Sequence, residues 1–278
     1  MLSHNFPGIE KFSNVWYDAI NIANHFGSGR MICGTDTVNK GKQGIIVRHI
    51  IVDLEMNGIA KEHEMKGSTH KEIIEIGAVM LDENYNEIGT FMTYVKPELN
   101  DTIESRYSSL TGITTAMVQD APVFGDAIRA FADWCSSYDD EFTLYQWSDN
   151  DRMQIVSEMN IKNFEPGANE NKLMGKWVDF QKEFSRLLGL SKPVALEKAI
   201  DYAGEAFQGR QHDALYDARN TASLFIMSRD EEKFKKELKY IIDAINTQKS
   251  EDEASIGDMV DFGSIKELIG GSDVQHED

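Results

Sequence analysis

Residues 47–55 read Val47-Arg48-His49-Ile50-Ile51-Val52-Asp53-Leu54-Glu55, an apolar run of strand length that closes on two acids. Val- and Ile-rich runs of this length favour a pleated strand. A polar loop rich in Lys, Glu and Gly follows at 57–70, and the same texture then returns at 73–81 and 87–95. Between those two runs, Asp82-Glu83-Asn84-Tyr85-Asn86 reads as a hairpin turn, because Asn and Asp tolerate the backbone angles a tight reversal demands. Pro97 closes the third strand, since proline cannot donate to a ladder.

Helical spacing takes over after these strands. Ile128, Phe131 and Trp134 recur at helical intervals in a segment that begins Asp120-Ala121-Pro122-Val123-Phe124, with Asp120 suited to cap it. Residues 142–147 read as a buried strand, and 149–159, 177–188, 194–206, 213–228 and 231–246 carry helical apolar spacing. Three strands in succession, followed by alternating strand and helices, predict an α/β fold: a mixed β-sheet flanked by helices. The folded domain is expected over 47–229, with a C-terminal helix at 230–246. An N-terminal extension at 1–46 combines a short amphipathic segment around 12–26 with a Gly-rich stretch at 27–44. Residues 247–278 carry nine acids against two lysines, the composition of a tail without a packed core, apart from a short helix near 265–269.

The chain holds 28 Lys and Arg against 47 Asp and Glu, a net charge of −19. Sequence-blind binding of long duplexes depends on many phosphate neutralisations, so this balance argues against it. A short or single-stranded nucleic acid, gripped locally, is compatible. No run of about 18 apolar residues suggests a membrane span, and no charged-then-apolar start suggests a secretory leader, so the expectation is a soluble cytoplasmic protein. Cys33 and Cys135 lie far apart without metal-ligand spacing, which fits buried thiols in a reducing compartment.

Three clusters carry candidate chemistry. Asp53 and Glu55 stand two apart in a strand, so they project to one side at its end. Adjacent anions repel, and a divalent cation between them offsets that cost; oxygen-only ligands favour Mg²⁺ or Mn²⁺. Taken alone the pair means little, because acids beyond a strand are usually solvated. The second cluster, Gln146-Trp147-Ser148-Asp149-Asn150-Asp151-Arg152, follows the strand at 142–147. Asp149 reads as a helix N-cap, while Asp151 either favours the helix dipole or faces the pocket of Asp53 and Glu55. The third is His212 and Asp217, in His212-Asp213-Ala214-Leu215-Tyr216-Asp217. On one helix that spacing sets the side chains about 140° apart, so they could share a site only near the helix N-terminus. A lone histidine there is more commonly a surface or core residue.

In combination, the order Asp-x-Glu, Asp, His-x4-Asp resembles the DEDDh family of 3′–5′ exonucleases, the DnaQ-like group that includes RNase T, oligoribonuclease and the Eri-type RNA exonucleases. The resemblance covers about residues 47–229. It extends to Lys71-Glu72-Ile73-Ile74-Glu75-Ile76-Gly77-Ala78-Val79, to Leu110-Thr111-Gly112-Ile113-Thr114 and to the run from His212 to Ala222, with the Eri-like branch nearest. It implies an RNase H-like fold and two divalent cations, Mg²⁺ or Mn²⁺, held by Asp53, Glu55, Asp151 and Asp217, with Asp53 bridging. It also implies His212 as general base at the mouth of the site. Such a pair of cations stabilises the attacking and leaving oxygens of an in-line phosphodiester displacement, and a histidine can take the proton of the attacking water near neutral pH.

The resemblance further implies that the backbone and side chains of Met56 and Asn57 meet the terminal sugar and that Leu110 to Ile113 pack against the last base. For Leu110 and Ile113 a core position is an equal reading, and Trp147 reads as core rather than as a stacking platform. Lys61, Lys66 and Lys71 either guide phosphates or solvate a loop. The function expected is a metal-dependent 3′–5′ exonuclease that takes 3′ ends of single-stranded RNA or DNA, RNA favoured, and releases nucleoside 5′-monophosphates. The alternatives are a DNA exonuclease of repair or proofreading and a catalytically silent module that binds nucleic-acid ends or a protein. Four convergent carboxylates with a histidine argue against the silent module. A calcium-stabilised structural protein would need more oxygen ligands in one compact loop.

Overall fold

The run at 47–55 forms most of β1 (Val47–Gly58), the middle strand of a five-stranded sheet, in a computed structural model that describes residues 47–63, 70–138 and 140–251. β2 (Lys71–Leu81) and β3 (Glu87–Tyr94) join it antiparallel on one side; β4 (Glu141–Gln146) and β5 (Trp177–Asp179) join it parallel on the other, giving the order β3-β2-β1-β4-β5. β1 does not end at its acids as expected. It runs on to Gly58 beside β2, with a register shift between Glu55 and Met56. β4 stops earlier, its last residue Gln146 pairing with Val52. Asp53 and Glu55 therefore lie just beyond the carboxyl end of β4, where an open parallel arrangement leaves a crevice for ligands.

The helices are α1 (Ser105–Thr111), α2 (Thr115–Val118), α3 (Phe124–Cys135), α4 (Asn150–Ile161), α5 (Ala168–Leu173), α6 (Phe180–Leu187), α7 (Leu196–Tyr202), α8 (Ala214–Ser228), α9 (Glu231–Glu237) and α10 (Lys239–Glu251). Three further expectations need correction. Residues 177–188 are not one helix: the first three pair with β4, and Asp179 then caps α6 by accepting the Lys182 N–H at 3.0 Å. Residues 231–246 likewise divide into α9 and α10, the first capped by Asp230, which accepts the Lys233 N–H at 2.9 Å. Asp120 does not cap α3. The backbone stays extended through Val123, held by the Lys96 N–H donating to Pro122 O at 2.8 Å, and the helix begins only at Phe124. The readings for 1–46, Lys66 and the short helix near 265–269 lie outside the described residues. Among the described residues, no helix is long and apolar enough to cross a membrane.

Strand pairing decides which side chains share a face. Ile51 sits opposite Val79 on one neighbour and Tyr145 on the other, and all three pack with Phe180, Phe184, Leu224 and Phe225 in the main core. Fully burying each such side chain is worth about 1.5–3 kcal/mol. Two residues along β1, the same face carries Asp53. α8 packs over β1 and β2 on that face, and its close approach depends on Gly77, the β2 residue opposite Asp53. A Cβ at Gly77 would stand 2.2 Å from the Ala214 carbonyl carbon. Backbone cannot yield as a flexible side chain can, so Gly77→Ala is expected to lower stability by about 1–3 kcal/mol. A urea titration checks this as a lower midpoint at unchanged slope. A midpoint equal to that of the unsubstituted protein would mean that α8 accommodates the methyl group.

Candidate active site

A cavity of about 710 Å³ opens at the crevice, lined by Asp53, Glu55, Asp151, Asp217 and His212 together with Met56, Lys71, Leu110, Trp147 and Leu196. Three elements supply the acids: β1 gives Asp53 and Glu55, the first turn of α4 gives Asp151, and the first turn of α8 gives Asp217.

Asp151 reaches the cavity because another residue caps its helix. Gln146, at the end of β4, accepts the Arg152 N–H at 2.9 Å, and the chain turns between them through Ser148, whose φ of 86° is left-handed. Asp149 occupies the N-cap position but makes no capping bond, a correction to its expected role. Its carboxylate faces Lys182 Nζ at 3.3 Å instead.

His212 is not on α8, which removes the geometric difficulty of the spacing. It lies ahead of the helix with a left-handed φ of 61°, and Asp213 caps α8 by accepting the Tyr216 N–H at 3.2 Å. The backbone N–H of His212 donates to Asp217 Oδ2 at 3.2 Å, while its Nδ1 stands 3.8 Å from Glu55 Oε1. One ligand atom each from Glu55, His212 and Asp217 falls within a mutual 4.8 Å. The histidine side chain is 46% exposed, whereas Glu55, Asp151 and Asp217 are buried.

Burial first, and mutual repulsion second, shape the electrostatics. Burial pushes the Glu55 carboxyl up to about 8, with Asp217, Glu75, Asp151 and Asp213 adding to it. Burial alone takes Asp151 to about 8. Asp217 reaches about 7, again through burial, opposed by the His212 N–H. Asp53 is held well above the carboxylate range by burial and then by Asp151, Asp217, Glu55 and Glu75. Among the described residues, Asp217 Oδ1 is buried without a hydrogen-bond partner. Four crowded carboxylates, one with an orphaned oxygen, form an all-oxygen set that fits hard divalent cations.

These raised values carry a sign. Folded carboxyls hold protons that unfolded ones release, so the cluster's contribution to stability falls as pH rises from about 4 towards 8. Chelator-treated protein is therefore expected to melt at a lower temperature at pH 8 than at pH 6 by several degrees. Mg²⁺ should restore most of the loss, and Asp151→Asn should flatten the dependence. Melting that is independent of Mg²⁺ at pH 8 would count against a cation site.

The substrate residues anticipated by resemblance divide. Met56 lines the cavity, and so does Leu110, which is 47% exposed. Asn57 does not. It is buried, donating to Thr102 O and accepting the Glu104 N–H, each at 3.0 Å, and so braces the loop before α1. Ile113 is core, packed with Ile74, Ile103 and Val118. Trp147 does both jobs, packing against Phe180 and Phe184 while it lines the cavity. Glu75, which is not among the anticipated site residues, is buried opposite Glu55, accepts the Ala214 N–H at 3.0 Å and ties the start of α8 to β2. Its signal was present: an acid inside an otherwise apolar strand needs a partner.

A mixed sheet with convergent acids at its crevice defines the RNase H-like class of nucleases. The chain belongs to the RNase_T family, described as Exonuclease, whose model matches residues 50–225. It is 30% identical over 180 residues to ERI1 exoribonuclease 2 of Danio rerio, covering 57% of this chain and 31% of that one. It is 26% identical over 164 residues to 3'-5' exoribonuclease 1 of Homo sapiens, covering 56% and 45%. The chain thus spans less than half the length of these relatives. The nuclease domain of 3'hExo, a DEDDh family member bound to rAMP, superposes with a TM-score of 0.56 at 22% identity, covering 68% of this chain and 95% of that one. The expected fold and the DEDDh, Eri-like resemblance are borne out.

Proposed function

We propose that this chain is a metal-dependent 3′–5′ exonuclease that removes nucleoside 5′-monophosphates from the 3′ end of single-stranded nucleic acid, with RNA preferred. The observation that carries the reading is the buried, unpartnered Oδ1 of Asp217 within a group of mutually repelling acids. Asp53, Glu55, Asp151 and Asp217 would hold two divalent cations, Mg²⁺ or Mn²⁺. When bound, these would neutralise the acids and stabilise charge on the phosphodiester oxygens during in-line displacement.

The chain's own residues supply the rest. His212 takes the proton of the attacking water; burial and then the Arg210 charge keep its imidazole below the usual histidine value, so it is a free base at neutral pH. Its partial exposure suits exchange of that proton with solvent. Met56 and Leu110 offer an apolar wall to the terminal nucleoside, and Lys71 brings a positive charge to the same cavity. The RNA preference is supported by the names of these relatives, which are exoribonucleases.

The test of that preference is a pair of oligonucleotides that differ only in the 2′-OH of the last two nucleotides, digested with Mg²⁺ and chromatographed for products. Faster release of a nucleoside 5′-monophosphate from the ribose end supports the reading. Equal or faster release from the deoxyribose end moves the substrate to DNA.

A further inference from the structure

The loop that carries His212 is anchored to α8 at both of its ends. At one end Asn220, itself buried, accepts the Gln208 N–H at 2.9 Å and donates to Gln208 O at 3.0 Å and to Tyr216 O at 2.7 Å. At the other, the His212 N–H donates to Asp217. Between them Gly209, with a φ of 69°, lies against the Tyr216 ring so closely that a Cβ would sit 2.2 Å from Cγ. The following residue, Arg210, reaches out of this anchored loop.

Its guanidinium meets the opposite wall of the cavity. Arg210 Nη2 donates to Leu110 O at 3.0 Å, across 100 residues of sequence. Leu110 O is one of the last carbonyls of α1, which have no partner within the helix and carry its negative dipole end, so a cation is well matched there. Gly112 ends α1 with a φ of 74°, and a Cβ on it would stand 1.5 Å from Arg210 Nη1. The guanidinium thus rests against a bare backbone that only glycine provides. α1 has seven residues, too few to hold its own position by helix formation alone, so contacts of this kind fix where it stands.

We propose that Arg210 is a positioning residue, a clasp that ties the His212 loop to the end of α1 and so sets the width of the cavity between His212 and Leu110. The terminal nucleotide fits between those two walls only while the clasp is closed. The catalytic consequence rests on the nuclease reading above, whereas the clasp itself does not.

The test uses Arg210→Met, Gly112→Ala, the double variant and Arg210→Lys in the full chain. Arg210→Met is expected to raise KM for a 3′-ended oligoribonucleotide on the order of tenfold, the scale of one charge-assisted hydrogen bond, with a smaller change in kcat. Gly112→Ala should do the same by displacing the guanidinium. The double variant should then show no further rise in KM, because both substitutions open one contact. Arg210→Lys, which keeps one donor, should recover part of the loss. Amide hydrogen exchange over residues 105–113 should quicken in Arg210→Met, where the left-handed Gly112 is left intact.

A folded Arg210→Met protein with unchanged KM and unchanged exchange overturns the proposal, as do effects that add in full in the double variant. A fall of about 0.7 in the slope of log affinity against log salt also overturns it, since that is the mark of a direct phosphate contact on a single strand. If the unsubstituted protein digests no oligonucleotide, the nuclease reading fails, and the exchange measurement still decides the clasp.

Discussion

Asp217→Asn is expected to lower kcat by about 10³-fold or more, the loss of several kcal/mol of charge stabilisation at about 1.4 kcal/mol per decade. The substitution keeps the shape of the side chain, and its amide oxygen can still accept the His212 N–H that Asp217 Oδ2 accepts at 3.2 Å. What disappears is the charge beside the unpartnered Oδ1. Because Asp217 raises both Asp53 and Glu55 by repulsion, removing its charge also relieves the metal-free cluster. The variant should therefore melt no lower than the unsubstituted protein in chelator, while gaining less from Mg²⁺. Loss of activity together with equal or higher metal-free stability separates a ligand from a structural acid. A variant that is merely unfolded would show the opposite.

His212→Ala is expected to cost about 10²- to 10⁴-fold in kcat/KM, the usual contribution of a positioned general base. Its pH profile gives the finer test. With His212 as the proposed base, the rate should need the unprotonated imidazole, so activity is expected to fall as pH drops through the histidine's own value, which burial and the Arg210 charge hold below the usual one while Glu197 opposes them. At saturating cation the carboxylates stay ionised, and the acidic limb belongs to the imidazole. That limb should lie below about pH 6.5, leave the neutral range flat, and vanish in His212→Ala. A limb that persists in the variant would assign it to another group.

These effects hang on residues that the sequence makes visible to different degrees. Asp53 and Glu55 are legible because a strand's period of two is rigid, so two acids two apart share a face wherever the strand lies. Their place at a crevice is not legible, since it depends on β4 ending at Gln146 while β1 continues to Gly58. Asp151 and Asp217 are legible as first-turn helix acids, but that they face one cavity follows only from the way α4 and α8 pack. The His212 spacing looks unfavourable on a helical wheel and works because His212 adopts a left-handed φ just outside the helix, a local choice that no periodicity encodes. β5 was hidden for a related reason: three residues are too few to display a period. Asn57 and Ile113 show the limit of carrying roles over by position, since both sit in the right stretch yet are spent on bracing and on core packing.

We propose that the four carboxylates hold cations for shortening a nucleic acid from its 3′ end. The most direct measurement incubates the protein and Asp217→Asn with a 5′-labelled single-stranded RNA and a DNA of equal sequence, in Mg²⁺, in Mn²⁺ and in chelator. The expected result is a ladder that shortens from the 3′ end with either cation, stops in chelator and is absent from the folded variant. A ladder that persists in chelator or in Asp217→Asn, or no digestion of either polymer by folded protein with cation present, would contradict it.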